Sequence, residues 1–327
     1  MHLTLLVPGL LWPREILRDT AFDLPLPALA TMLGRGRLAP ARGIDDWLAA
    51  SFDLAAPLPI APLRLLGDGG QPGEDHWLCL DPVHLRVGER QLVVHSAPPL
   101  AAEEDAALRH AVSELIDGDL VAVQPGRWHL RLAEPPALDC RPLPRALGQP
   151  LPLGFPAGSD GTRWRRLLAE AQPLLHAHDI NRRREAAGQP TVDSLWPWGD
   201  GRLPRAAKAA FDVIWSDDPV LGGLGHLSGI AVEPPPARHR AIAGDTLAHL
   251  GDLLAPTATL DALAWRAALA RLDAEWLAPA VDALRQRRLT RVTLVADGEA
   301  GGFELTLTRG DLRRFWRKPR PLWQALP

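Results

Sequence analysis

The segment HDINRRREAAGQPTVDSLWPWGDGRLP, residues 178–204, decides how this chain is read. Its first half is crowded with charge. Its second half sets Trp196, Pro197, Trp198, Gly199 and Gly201 into a few positions. On a helix, His178, Asn181 and Arg184 stand three apart and share one face. Arginine offers a planar fork that matches phosphate or carboxylate oxygens. The SLWPWGDG run reads as a tight turn whose rings hold that face against a wall. Two readings stay open on chemistry alone: an anion-binding lip, or a solvated arginine-rich helix end with tryptophans filling core.

Working outward, the run LTLLV (3–7), ended by Pro8 and Gly9, predicts a buried strand of a parallel sheet. Residues 27–33 and 45–51 predict helices, and GDGGQPG (67–73) is the clearest linker. After it, residues 76–87 and 90–97 predict two strands turning at Gly88-Glu89. An amphipathic helix over 101–116 and two further strands in LVAVQPG and RWHLRLA follow. That β-β-α-β-β order favours a small α+β module closed by the proline-rich stretch 135–156. Residues 163–187 predict a helix kinked or split at Pro173. Residues 260–289 repeat Trp265, Leu269, Leu272 and Trp276 at helical spacing, with a joint at Pro279. RVTLVA and FELTLT predict strands joined by DGEAGG, and Asp311 is expected to cap a basic final helix, DLRRFWRK. The expected architecture is α/β: a discontinuous core of 1–66 and 157–327 with an α+β cap domain inserted at 70–156.

Composition narrows the classes. The 327 residues are 46% hydrophobic, enough for a substantial core, and the net charge of −3 argues against a dedicated nucleic-acid binder. Two cysteines, Cys79 and Cys140, make neither a disulfide scaffold nor a zinc site. The apolar opening is short and lacks a basic region and a small-residue cleavage site, so no signal peptide is expected. No run is long enough to span a bilayer. A soluble, cytoplasmic protein without nucleic-acid or membrane partners is expected. The glycine-rich stretches do not match a phosphate-loop spacing.

The spacing H-x-x-N-x-x-R-x-x-x-G-x-x-x-x-[ND]-x-[IL]-W-x-W-G-x-G is carried by His178, Asn181, Arg184, Gly188, Asp193, Leu195, Trp196, Trp198, Gly199 and Gly201. It resembles the signature of archaeal-type cofactor-independent phosphoglycerate mutases of the alkaline phosphatase superfamily. The resemblance implies an alkaline-phosphatase-like core with an inserted cap. The chain is similar also to RpfE-type regulatory proteins, through HWLxxDPVHLR at 76–86, the L-x-x-x-W of Leu272 and Trp276, and D-L-x-x-F-W-R at 311–317. That likeness implies a bacterial regulator of virulence factors. Two positions of the 178–201 block depart from the family: Asp193 stands for the usual Asn, and Pro197 for an apolar residue.

The resemblance implies two divalent metals and a serine nucleophile, because phosphoryl transfer needs cations to neutralise a highly charged ester. This chain has Pro8 where the first strand should end in an Asp-Gly pair. ARGIDDWLAASFDL (41–54) has no Ser or Thr ahead of its helix; Ser51 lies inside it. Asp297 is followed by Gly298 where an Asp-His pair is implied. His249 and Asp252 sit at i, i+3 but do not make a binuclear site. No catalytic residue, no metal ligand and no cofactor are therefore expected, Mn²⁺ or Zn²⁺ entering only if an active enzyme is retained. The expected function is a non-catalytic, regulatory or ligand-sensing protein. It would bind a small phosphorylated or carboxylate anion through His178, Asn181, Arg184, Asp193, Trp196, Trp198, Arg127, His129 and His84, in a cleft between cap and core. An active metal-dependent mutase or phosphatase, and a protein-interaction module using a tryptophan-rich surface, are the alternatives.

Overall fold

The apolar run after Met1 forms a strand whose last five residues are buried, as a parallel strand covered on both faces requires. The computed structural model describes residues 1–41, 43–88, 91–298 and 301–324. Along the chain come β1 (His2–Val7), α1 (Arg14–Ala21), α2 (Pro27–Arg35), β2 (Arg37–Ala41) and α3 (Ile44–Ser51). Then follow α4 (Ile60–Gly67), β3 (His76–Val87), β4 (Leu92–Ser96), α5 (Ala102–Ser113), β5 (Asp119–Gln124) and β6 (Arg127–Leu132). Next are α6 (Leu143–Ala146), α7 (Gly161–Ala177), α8 (Asp179–Ala186) and β7 (Ser194–Arg202). The chain continues with β8 (Val213–Trp215), α9 (Pro219–Ser228), β9 (Ala231–Glu233), β10 (Thr246–His249), α10 (Leu254–Thr259) and α11 (Ala262–Leu272). It ends with α12 (Ala278–Arg285), β11 (Arg291–Gly298), β12 (Gly301–Thr308) and α13 (Arg309–Leu312).

These elements form two compact units, Met1–Leu58 with Ala206–Pro327, and Pro59–Arg205. The second unit is wider than the sequence boundaries of 70 and 156. Helix α4 packs on β3 and β7, and β7 pairs along β3 from His76 to Val83, so residues 59–69 and 157–205 belong with the inserted sheet.

In the first unit, among the described residues, seven strands run in the order β2-β12-β11-β1-β10-β8-β9. β11, β1, β10, β8 and β9 are parallel, while β12 is antiparallel to both β11 and β2. The helical stretch that includes Trp265 and Trp276 packs its apolar positions into this core. The joint expected at Pro279 takes the form of a π-helical turn, Asp273–Leu277, immediately before it. This turn holds the buried Asp273 carboxylate on the backbone N–H groups of Ala28 (3.2 Å) and Leu29 (2.7 Å), capping the start of α2. Burial raises the Asp273 pKa, partly offset by those two N–H donors.

In the second unit, β3 pairs with β4, β6 and β7, and β5 pairs with β6, all antiparallel. The SLWPWGDG run is thus a strand, not a tight turn. Its neighbour β3 supplies hydrogen-bond partners over almost its whole length. Pro197 is tolerated because β7 pairs on one side alone among the described residues. The glycines admit α4: a Cβ on Gly199 would stand 2.9 Å from the Ile60 Cβ, and Gly199 has φ +66°.

Three further expectations are corrected. Pro173 sits inside α7, and the chain breaks five residues later at His178, whose extended backbone separates α7 from α8. The final helix is only α13, and Thr308 is its N-cap. Its hydroxyl and the Asp311 carboxylate bond each other's backbone N–H reciprocally, so Asp311 is the third helical residue rather than the cap. The turn partner Glu89, and Glu299 and Ala300 of DGEAGG, lie outside the described residues.

Candidate functional site

In open α/β sheets, ligands bind outside the carboxyl ends of the strands. In the first unit the ends of β8 and β10 lead into Asp217, Asp218 and His249, which line a cavity of about 550 Å³ together with Asp252, Arg271, Glu275 and Trp276. Asp218 also caps α9, accepting from the Val220 N–H at 2.8 Å. Burial lowers the His249 pKa, while the nearby Asp218 and Asp217 carboxylates pull it back up. Four carboxylates against one guanidinium give this cavity an acidic lining.

The neighbouring edge of the same sheet, at β1 and β11, is closed by backbone. A Cβ on Gly298 would stand 2.7 Å from the Leu11 carbonyl oxygen and 2.9 Å from the Leu11 Cβ. A Cβ on Gly9, which has φ +77°, would stand 2.8 Å from the Leu253 carbonyl oxygen. Asp297 accepts a bond from the Ile44 N–H at 3.3 Å. Among the described residues, no group of three or more His, Cys, Asp and Glu side chains is placed to hold a metal ion. Pro8 and Gly298 offer no side-chain ligand atom at these strand ends.

In the second unit the nine residues singled out from sequence fall into three settings. Asn181 and Arg184 form a clamp. The Asn181 amide donates to the Leu175 and Val192 carbonyls and accepts from the Val192 N–H. Arg184 donates to the Pro190 and Pro99 carbonyls and to the Glu104 carboxylate at 2.7 Å. His178 caps α8, its Nδ1 accepting from the Ile180 N–H. This clamp fixes the loop that leads into β7.

The second setting is an interior polar network. Trp198 donates to Asp81, and the Arg64 guanidinium lies 5.5 Å from the centre of its ring. Arg64 donates Nε–H to His129 Nε2 at 3.0 Å and grips Asp81. Burial, with Arg64 and Arg127 adding positive charge, depresses the His129 pKa to about 2, so its ring is neutral. Burial alone would lower the Arg64 pKa, but the negative groups around it, Asp81 foremost, together raise it. Arg127 pairs with Asp68. Trp196 is buried, stacked on Phe155 and bonded to the Arg141 carbonyl. Arg64 was not anticipated. Its one signal is a lone arginine inside the apolar run IAPLRLLG.

The third setting is on the surface of the same unit. His84 Nδ1 is 2.7 Å from Asp193 Oδ2, and that carboxylate also accepts from the Leu85 N–H. Asp193 thus serves as the partner of His84. His84 faces His95 across the β3–β4 pair, with ring centres 6.3 Å apart. With Arg86, Glu104, Arg184 and Gln189 they line an open cavity of about 1060 Å³. Burial, then Arg86 and His84, lower the His95 pKa.

These features define a mixed α/β protein of two compact units, with a mostly parallel sheet in one and an antiparallel sheet in the other. Its sequence is similar to cofactor-independent phosphoglycerate mutases. It is 27% identical over 141 residues to the 2,3-bisphosphoglycerate-independent phosphoglycerate mutase of Methanothrix thermoacetophila, covering 42% of this chain and 35% of that protein. It is 24% identical over 200 residues to the enzyme of the same description from Methanosarcina barkeri, covering 55% of this chain and 49% of that one. The chain thus spans no more than about half the length of these relatives. No family model matches it. Among solved structures, the cofactor-independent phosphoglycerate mutase of Thermoplasma acidophilum aligns with a TM-score of 0.45 at 16% identity, over 99% of this chain and 94% of that one.

Proposed function

We propose that this chain is a non-catalytic relative of the cofactor-independent phosphoglycerate mutases. In this reading it has an alkaline-phosphatase-like core and acts by holding a small phosphorylated or carboxylate anion, in a regulatory or ligand-sensing role of the RpfE type. The observation that carries the reading is Gly298 packed against Leu11. A histidine following Asp297, as the mutase pattern implies, has no room for its Cβ unless the Leu11 backbone moves. Pro8 adds a position without a ligand atom at the facing strand end.

An anion has a natural place on the second unit, where His84, His95, Arg86 and Arg184 surround one cavity. Arg184 is held by Glu104, so Arg86 supplies the free positive charge among the described residues and His95 a ring N–H, while the Nδ1–H of His84 is committed to Asp193. The deciding assay offers 3-phosphoglycerate and a generic phosphate ester with Mn²⁺, Zn²⁺ or no added metal. The proposal expects no turnover, and saturable calorimetric binding of 3-phosphoglycerate that weakens in Arg86→Ala. Metal-dependent turnover would restore the enzyme reading.

A further inference from the structure

Residues 309–320 place six cations in twelve positions: Arg309, Arg313, Arg314, Arg317, Lys318 and Arg320. The one acid among them, Asp311, is buried and committed. It accepts from the Thr308 N–H and hydroxyl and pairs with Arg314 at 3.1 Å. Arg287 adds to the crowd. It is the first cause, ahead of slight desolvation and Arg313, of a lowered Arg309 pKa. Between these cations in sequence, Phe315 and Trp316 are 80% and 67% exposed, their rings 5.4 Å apart and tilted at 81°. The segment is held at both ends. Arg35 donates to the Leu312 carbonyl, and the Arg320 N–H donates to Ala30. It is a tethered, exposed segment in which two aromatic rings stand among six cationic residues.

We propose that this exposed basic and aromatic segment docks the protein on an anionic lipid surface. Basic residues are drawn to an anionic leaflet, a Trp ring settles at headgroup depth, and a Phe ring buries at the headgroup–acyl boundary. Single-stranded nucleic acid also combines cations with rings, but along a positively charged groove that tracks its backbone. Residues 313–320 form turns and irregular chain, with the two rings exposed and steeply tilted to each other. The net charge of −3 means the rest of the chain is repelled by the same surface, so contact is confined to this patch and weakened by salt. Attachment is peripheral: among the described residues, no helix is long and apolar enough to cross a membrane. The sequence-based expectation of no membrane partner rested on that criterion alone, which a surface contact does not need to meet.

The test is co-sedimentation of the full chain with vesicles of phosphatidylcholine, with and without phosphatidylglycerol, at low and high salt. Binding is expected only to the phosphatidylglycerol vesicles and only at low salt. Arg317→Ala with Lys318→Ala should lower the partition about 30-fold, since each basic residue near the surface contributes a factor of about five. Phe315→Ser with Trp316→Ser should also lower it. Arg163→Ala with Arg166→Ala, which removes equal charge from the second unit, should leave it unchanged. Thermal unfolding matched to the parent shows that each variant is folded. Absence of binding to the anionic vesicles, equal binding to both vesicle types, or equal loss in the Arg163/Arg166 variant overturns the proposal. So does binding of a short single-stranded oligonucleotide through the same residues without vesicle binding.

Discussion

Arg64 and Asp81 meet inside the second unit as a two-pronged pair, both N–H···O distances 2.7 Å, with the two residues 6% and 3% exposed. The same carboxylate accepts from Trp198 Nε1–H and from the Trp128 N–H, and Arg64 also donates to His129 and to the Trp128 carbonyl. One helix and three strands are thereby tied through two charges that have no water to fall back on.

Removing one charge of a buried pair leaves the other uncompensated, which costs about 3–5 kcal/mol. Arg64→Met is therefore expected to destabilise the second unit by about that amount in urea unfolding. Arg64→Met with Asp81→Leu should recover a good part of it, because the stranded carboxylate is gone. A single variant indistinguishable from the parent would show that the pair does not bear on folding.

His129 makes stability fall in acid. Its folded pKa of about 2 lies below the unfolded value of 6.5, so the unfolded chain binds the extra proton between those limits. The contribution is complete above pH 6.5 and declines as the pH drops, by about 1.4 kcal/mol per unit. His129→Gln keeps an acceptor toward Arg64 and cannot take up the proton. Its stability should decline less steeply than the parent's between pH 6 and 3, a window set by those two values. Equal slopes would place the neutral ring elsewhere.

Gly199 and Gly188 separate strain from collision. Both have φ +66°, but a Cβ on Gly199 meets Ile60 at 2.9 Å, whereas nothing lies within 4 Å of one on Gly188. Gly188→Ala should cost about 1 kcal/mol, the penalty of a left-handed backbone alone. Gly199→Ala should cost clearly more, since Ile60 on α4 must also move. Chemical denaturation of the two variants side by side decides it, and equal costs would mean that α4 gives way freely.

Asp273 caps a helix to which it does not belong. Asp273→Ala leaves the Ala28 and Leu29 N–H groups without their acceptor, for an expected loss of about 1–3 kcal/mol. Asp273→Asn retains an acceptor and should lose less. Hydrogen exchange at Ala28 and Leu29 should quicken in the alanine variant, and unchanged exchange would argue that water replaces the cap.

Much of the element order was legible because local patterns report local structure. The run at 3–7, apolar but for Thr4, announced a buried parallel strand, and the β-β-α-β-β sequence of the insert appears as β3 to β6. The SLWPWGDG run misled because glycine and proline usually mark turns. Here they stand in a strand so that α4 can approach β7 closely, and that approach is invisible in the local pattern. The same holds for the site residues. Asn181 and Arg184 were recognised as unusual, yet their polar atoms serve the loop before β7. Arg64, which organises the network around His129, gave almost no sign.

Residue types and periodicity alone pointed to the α/β class, whereas the missing ligand side chains at positions 8 and 298 have meaning only through the resemblance to the mutase pattern. Which charges face each other was decided only by the tertiary structure. Pairing along β3 brings Asp81, His129 and Trp198 to one interior point and sets His84 beside His95, because hydrogen-bonded strands juxtapose residues far apart in the chain. The closed edge at Gly298 belongs to the same category. A missing side chain can be read from sequence, but the Leu11 backbone occupying its place is a property of packing.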